Sequence, residues 1–351
     1  MKDFKRYYNK EYLAEKKMFV NLDQKKGGQT LGHVDTTDEE YSDLLQQIKN
    51  RLARNFIHDY IEDLLQANNL KQKHFDTVQP LFFRYFKGET KDLDKLAALK
   101  PYELPYKSEK AVDLAGVKNH YSEFFMNEFF DKMVHLQLPD KPSIGSGEAY
   151  LSLFTQLTVP TGPSGGDLID GDDDVEVKAQ MGRFGGQRNI YQNGVEAMRR
   201  IEKLLPGLAF TTKTFSKGTA NQLMKHLKNN PALLEDKDLM KELIQGFANY
   251  FIMKDLTGPM VERFIDTVEN GDIRKFVGYI TAIHMYGYAL DEGFDYILFF
   301  NKPMTKVRAL NTKQINFKKM HEFAENYLMS TIAWSNNAAD KGGASVTYNG
   351  A

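Results

Sequence analysis

Apolar positions recur with a helical rhythm over the first part of the chain. Tyr41, Leu44, Leu45, Ile48, Leu52, Phe56, Tyr60, Ile61, Leu64 and Leu65 keep the i, i+3, i+4, i+7 spacing of one buried helix face. Thr37 with Glu40 reads as the capping box that opens this helix, and Asn68-Asn69 ends it. Residues 75–86 are rich in aromatics, and ALKPYELPYK (98–107) carries two prolines that interrupt regular structure. The spacing of Tyr121, Phe124, Phe125, Phe129, Phe130 and Met133 predicts a further helix over about 118–136, with the aromatics on its core side. Pro139 and Pro142 close this mainly helical region, 1–138. Before Thr37 the chain is polar and basic, with a Gly27-Gly28 break, and reads as a solvated terminal arm.

The pattern then changes. EAYLSLFTQL predicts a short helix with Tyr150, Leu151, Phe154 and Leu157 on one side and Glu148, Ser152 and Thr155 on the other. A Gly/Pro-rich turn (158–166) leads into GDLIDGDDDVEVK (166–178), where short apolar stretches flank an acidic turn. NGVEAMRRIEKLL (193–205) is helical, and several more helical patterns follow over 208–290. FDYILFF, bounded by Gly293 and Pro303, is the clearest buried strand, and MTKVRAL adds a second. FKKMHEFAENYLMSTIAW reads as a closing helix and 336–351 as a tail. The expected organisation is an α/β core over 139–335, with a helical insertion at about 208–290, behind the helical N-terminal region.

At 351 residues, 42% hydrophobic and 26% charged, the chain has the composition of a folded globular protein. A formal net charge of −1 supplies no global field to recruit nucleic acid, so any such contact needs local basic clusters. There is no cysteine, which rules out disulfides, a thiol nucleophile and thiolate metal ligands. MKDFKRYYNKEY has no apolar signal segment, and no run approaches the ~18 apolar residues of a membrane span. The expectation is a protein of the cytoplasm, or of a virion assembled there, with no membrane partner.

The acidic stretch carries the chemistry. Gly171-Asp172 suits a two-residue hairpin turn, because both tolerate positive φ. That turn puts Asp170 opposite Asp173, Ile169 opposite Asp174, Leu168 opposite Val175 and Asp167 opposite Glu176. Alternation then sends Leu168, Val175, Val177 and Ala179 to the apolar side and gathers Asp167, Glu176 and Lys178 on the other. Opposed carboxylates with Cβ atoms about 4.5–5.5 Å apart repel one another, and a divalent cation would remove that repulsion. Hard oxygen donors suit Mg²⁺ or Mn²⁺, which take one or two carboxylates and keep several waters.

Glu148, then Asp167, then Glu176-Val177-Lys178 resembles the PD-(D/E)xK nuclease superfamily, the restriction-endonuclease-like fold. The resemblance implies a helix-borne Glu, an Asp on one strand and an E-x-K on the next, followed by a helix and further strands. It implies a Mg²⁺- or Mn²⁺-dependent DNA nuclease, an endonuclease in the first instance. Asp167 and Glu176 would bind the metal, Glu148 would stand beside a second metal or support the first, and Lys178 would orient the attacking water. It covers about 143–205 and the FDYILFF strand. Gly166 stands where the motif has Pro. Gln187-x-x-x-Tyr191 is similar to a Q-x-x-x-Y found after E-x-K in the RecB-like branch.

Arg183, Gln187, Arg188, Arg199, Arg200 and Lys203 form the densest polar and basic group beside this motif, and are the expected DNA contacts. Gly182, Gly185 and Gly186 would let backbone N–H groups approach a phosphate. The acidic loop fails the EF-hand template, since the twelfth position is Val177. None of the eight histidines shows HxxxH or HxH spacing, and there is neither a P-loop nor a G-x-S-x-G motif. The alternative is a non-catalytic structural or DNA-binding protein on the same fold, such as a phage particle component. Phage or host proteins are its further expected partners, and a dimer is compatible with either reading.

Overall fold

The computed structural model describes residues 21–22, 29–30, 56–67, 70, 74–138, 144–179, 181–184, 199–209, 217–251, 273–313, 317–333 and 343–349. The chain divides into two compact units, Met1–Tyr102 with Val117–Lys141 and Glu103–Gly116 with Pro142–Ala351. No helix among the described residues is long and apolar enough to cross a membrane.

In the first unit, β1 (Asn21–Leu22) pairs antiparallel with β2 (Gln29–Thr30), so part of the expected terminal arm is a short ladder. Helix α1 (56–67) buries Ile57, Ile61 and Leu65, one residue per turn; the predicted start of this helix lies outside the described residues. After α2 (Phe75–Tyr85) and α3 (Leu93–Ala98), the helix expected over 118–136 is two helices, α4 (Ala115–Tyr121) and α5 (Asn127–Val134). The break has a backbone cause. Lys87 N–H donates to the Phe124 carbonyl and Met126 N–H to that of Tyr85, replacing the helical bonds there. The turn lets both Phe124 and Phe125 be buried. Phe125 stacks on Phe129 at 4.3 Å, and Phe82 meets both rings edge-on, an arrangement the aromatic quadrupole favours.

The second unit is mixed α/β. Its main sheet joins β3 (Val112–Asp113), β4 (Leu168–Asp170), β5 (Asp173–Lys178), β7 (Tyr296–Phe300) and β8 (Lys306–Asn311) in the order β3-β8-β7-β5-β4. Strands β5 and β7 run parallel and the other neighbours antiparallel. Every residue of β7 is buried, as an unbroken apolar run predicts for a central strand. A second sheet orders β6 (Met181–Arg183), β10 (Gly343–Tyr348) and β9 (Leu328–Ala333) as β6-β10-β9.

That second sheet corrects two expectations. The closing helix stops at Tyr327, and the residues after it form β9, where Thr331 and Ile332 are β-branched and favour a strand. The supposed tail supplies β10, which pairs along its whole length with β9 and buries Val346 and Tyr348.

Helix α6 (Ser146–Phe154) precedes the hairpin, and α7 (199–204), α8 (Lys217–Asn229), α9 (Lys237–Phe251) and α10 (Ile273–Glu292) follow it, with α11 (Phe317–Tyr327) after β8. The stretch expected as an insertion packs onto the sheet. Leu223, Leu227, Met240, Leu243, Tyr279 and Ile283 share one apolar core with Ile297 and Phe299 of β7. Helix α6 has no polar side of the expected kind. Ser152 and Thr155 are buried, and their hydroxyls donate back to the carbonyls of Ala149 and Leu151.

Candidate active site

The hairpin has the register that its turn residues predict. Leu168 pairs with Val175, Ile169 with Asp174 and Asp170 with Asp173. Gly171 takes φ of 65°, a positive value at the first central turn position, where Gly is the least strained residue. The acids nearest the tip are held by neighbouring groups. Lys107 reaches Asp170 at 3.0 Å and Asp173 at 2.7 Å, Lys313 pairs with Asp173, and the Tyr106 hydroxyl donates to Asp170 at 2.9 Å. The two lysines hold the Asp173 carboxyl below its ordinary range, while burial and the Asp170 charge push the Tyr106 phenol up. Asp174 accepts from the Ser164 hydroxyl, and its own N–H donates to Asp295 at 2.9 Å. These contacts fix the hairpin and occupy Asp170, Asp173 and Asp174.

Asp167 and Glu176 lie beyond the last ladder pair. Asp167 Oδ2 accepts the Val177 N–H at 2.9 Å, which holds the carboxylate against β5 next to Glu176. The residue before it must be small. A Cβ on Gly166 would sit 2.6 Å from Val175 N, inside contact distance. Glu148 arrives from the first turn of α6, where its Oε2 caps the Gly145 N–H at 2.8 Å. That helix start approaches the sheet closely, because a Cβ on Gly147 would lie 2.8 Å from the Phe300 ring and 3.1 Å from Ala179 Cβ.

Glu176 and Lys178, two apart on β5, share a face as strand alternation requires, and Lys178 Nζ bonds Glu176 Oε1. Their side chains are only 6% and 10% exposed, so neither charge is compensated by bulk water. Tyr288 of α10 donates its hydroxyl to the same Glu176 oxygen at 2.6 Å, and its oxygen lies 3.4 Å from Lys178 Nζ. Gly182 makes room for the lysine stem, since a Cβ there would meet Lys178 Cβ at 2.7 Å. Gly182 sits in β6 opposite Val346, so its role is packing and strand pairing, not the phosphate loop expected of it.

Three carboxylates thus gather around one ammonium. Burial pushes the Asp167 carboxyl up to about 8, helped by the charges of Glu176 and Glu148, against the pull of Lys178 and the Val177 N–H. Burial likewise raises Glu148 to about 7, with Glu176 adding to it and the Gly145 N–H and Lys178 opposing. The cluster is short of positive charge. Its hard oxygen donors are the chemistry that suits a small divalent cation, and carboxyls placed near neutrality can exchange a proton with water.

Among the described residues, one group of three side chains brings its ligand atoms all within 4.8 Å of one another: His58, Asp59 and Glu62, on α1 of the first unit. The Glu148–Asp167–Glu176 set is more open than that, and its Glu176 is contacted by Lys178 and Tyr288. The expected DNA contacts are described only in part. Arg183 lies in β6, while Gln187, Arg188 and Tyr191 lie outside the described residues. On α7, Arg199 and Lys203 are exposed one turn apart, whereas Arg200 pairs with Glu242 of α9 at 2.8 Å. Comparison of the chain with protein-family models, with curated proteins and with solved structures finds no match.

Proposed function

We propose that this protein is a Mg²⁺- or Mn²⁺-dependent DNA nuclease on a restriction-endonuclease-like core. The observation that carries this reading is the gathering of the half-buried Glu148 and Asp167 and the buried Glu176 about a single ammonium, Lys178. The chain order α6, β4, β5, a helical stretch, then β7 and β8 supports it, being the order that the motif resemblance implies.

Asp167 and Glu176 would hold the cation, with Glu148 beside them. When bound, the cation polarises a phosphoryl oxygen and lowers the pKa of a coordinated water. The Lys178 ammonium donates to charge gathering on the phosphate, where a donor fixed in advance is worth most. Glu148, whose carboxyl burial pushes up to about 7, would accept the proton of the attacking water as its oxygen bonds to phosphorus. The P–O bond to the leaving sugar oxygen breaks, and that oxygen takes a proton from solvent. Arg199 and Lys203 offer cations to the DNA backbone.

A second reading draws on the contacts of Glu176. Lys178 and Tyr288 already satisfy this buried carboxylate, as they would in a non-catalytic structural or DNA-binding protein. Incubation with supercoiled and linear DNA separates the two. The nuclease reading predicts cleavage with Mg²⁺ or Mn²⁺, none with a chelator, and rates lowered on the order of 100-fold by Asp167→Asn and Lys178→Ala. If the wild type leaves DNA intact with both cations, or both variants cleave as the wild type does, the non-catalytic reading takes its place.

A further inference from the structure

We infer that Tyr288 is a positioning residue of this site, aligning the carboxylate of Glu176 and the ammonium of Lys178 from α10. The inference rests on the reading of Asp167, Glu176 and Lys178 as a cation and phosphate site. Its basis is geometric. One phenol oxygen reaches both members of the E-x-K pair, at 2.6 Å from Glu176 Oε1 and 3.4 Å from Lys178 Nζ. The lysine Nζ also lies 5.0 Å from the centroid of the Tyr288 ring, within the range of a cation–π contact.

The ring is itself held. Phe294 packs on it at 5.2 Å and Phe184 at 6.0 Å, and Phe184 meets Phe299 of β7 edge-on at 6.2 Å. The phenol is thereby tied to the central strand beside β5. A phenylalanine would fill the same volume. What the hydroxyl adds is a second donor on Glu176 Oε1, which limits rotation of a carboxylate whose side chain is 6% exposed.

Groups of this kind, one contact removed from the metal, change its affinity by roughly 10- to 100-fold when removed. The test measures Mn²⁺ affinity by titration calorimetry, and Tm without metal, for wild type, Tyr288→Phe, Phe294→Leu and Asp167→Asn. The inference predicts at least tenfold weaker Mn²⁺ binding for Tyr288→Phe at near wild-type Tm. Phe294→Leu, which loosens the ring but keeps the hydroxyl, should lower Tm and weaken Mn²⁺ binding less than Tyr288→Phe does. Wild-type affinity in Tyr288→Phe overturns the inference and leaves the site reading standing. Equal losses of Tm and affinity in Tyr288→Phe and Phe294→Leu also overturn it, because a packing role moves both variants together. No Mn²⁺ binding by the wild type, or unchanged binding by Asp167→Asn, overturns the site reading and the inference with it.

Discussion

The backbone N–H of Val177 donates a 2.9 Å hydrogen bond to Asp167 Oδ2, yet the carboxyl that receives it is held toward its protonated form. Burial and the charges of Glu176 and Glu148 outweigh that bond. Because the folded-state value, about 8, lies above the ordinary 3.8, Asp167 favours folding while protonated. That contribution is complete below the ordinary value and is lost as pH rises through the folded one. Asp167→Asn should therefore melt close to wild type at about pH 3.5 and increasingly above it as pH rises to about 8.5, as thermal denaturation across that range would show. A variant less stable than wild type at the higher pH would contradict this assignment.

Lys178 and Glu176 form a buried pair, and removing one partner leaves the other charge uncompensated. Lys178→Met is expected to lose about 3–5 kcal/mol of stability in urea denaturation. The double variant Lys178→Met with Glu176→Gln should recover most of that loss, since neither charge then remains. If the single and double variants are equally unstable, the packing of the lysine stem against Gly182 matters more than the charge.

The hairpin register was legible from two residues, Gly171 and Asp172, since a turn that needs positive φ fixes every pairing on either side of it. The central strand β7 was equally plain, because five consecutive apolar residues between a Gly and a Pro have few alternatives. Other parts depended on partners distant in the chain. Tyr288 is 112 residues from Glu176 and sits in a run of aromatics and aliphatics, where it looks like any core tyrosine. Strands β9 and β10 are short and rich in Ser, Thr, Gly and Ala, and only their mutual pairing distinguishes them from a helix end and a tail. The lysines that hold the tip acids Asp170 and Asp173, Lys107 and Lys313, come from segments far from the hairpin in the chain.

Arg199 and Lys203 are exposed one turn apart on α7, whereas Arg200 is engaged with Glu242. If the α7 surface contacts the DNA backbone, the double variant Arg199→Ala with Lys203→Ala should weaken DNA binding at low salt. The slope of log K against log[salt] should then fall in magnitude by about 2, near 0.9 for each lost phosphate contact. Arg200→Ala should change that slope less. Fluorescence anisotropy across a salt series measures both, and an unchanged slope in the double variant removes α7 from the interface.

The most direct measurement is anomalous diffraction from crystals soaked in Mn²⁺. The account predicts a peak about 2 Å from carboxylate oxygens of both Asp167 and Glu176, absent in crystals of Asp167→Asn. A peak at His58, Asp59 and Glu62 with none at the hairpin would contradict it.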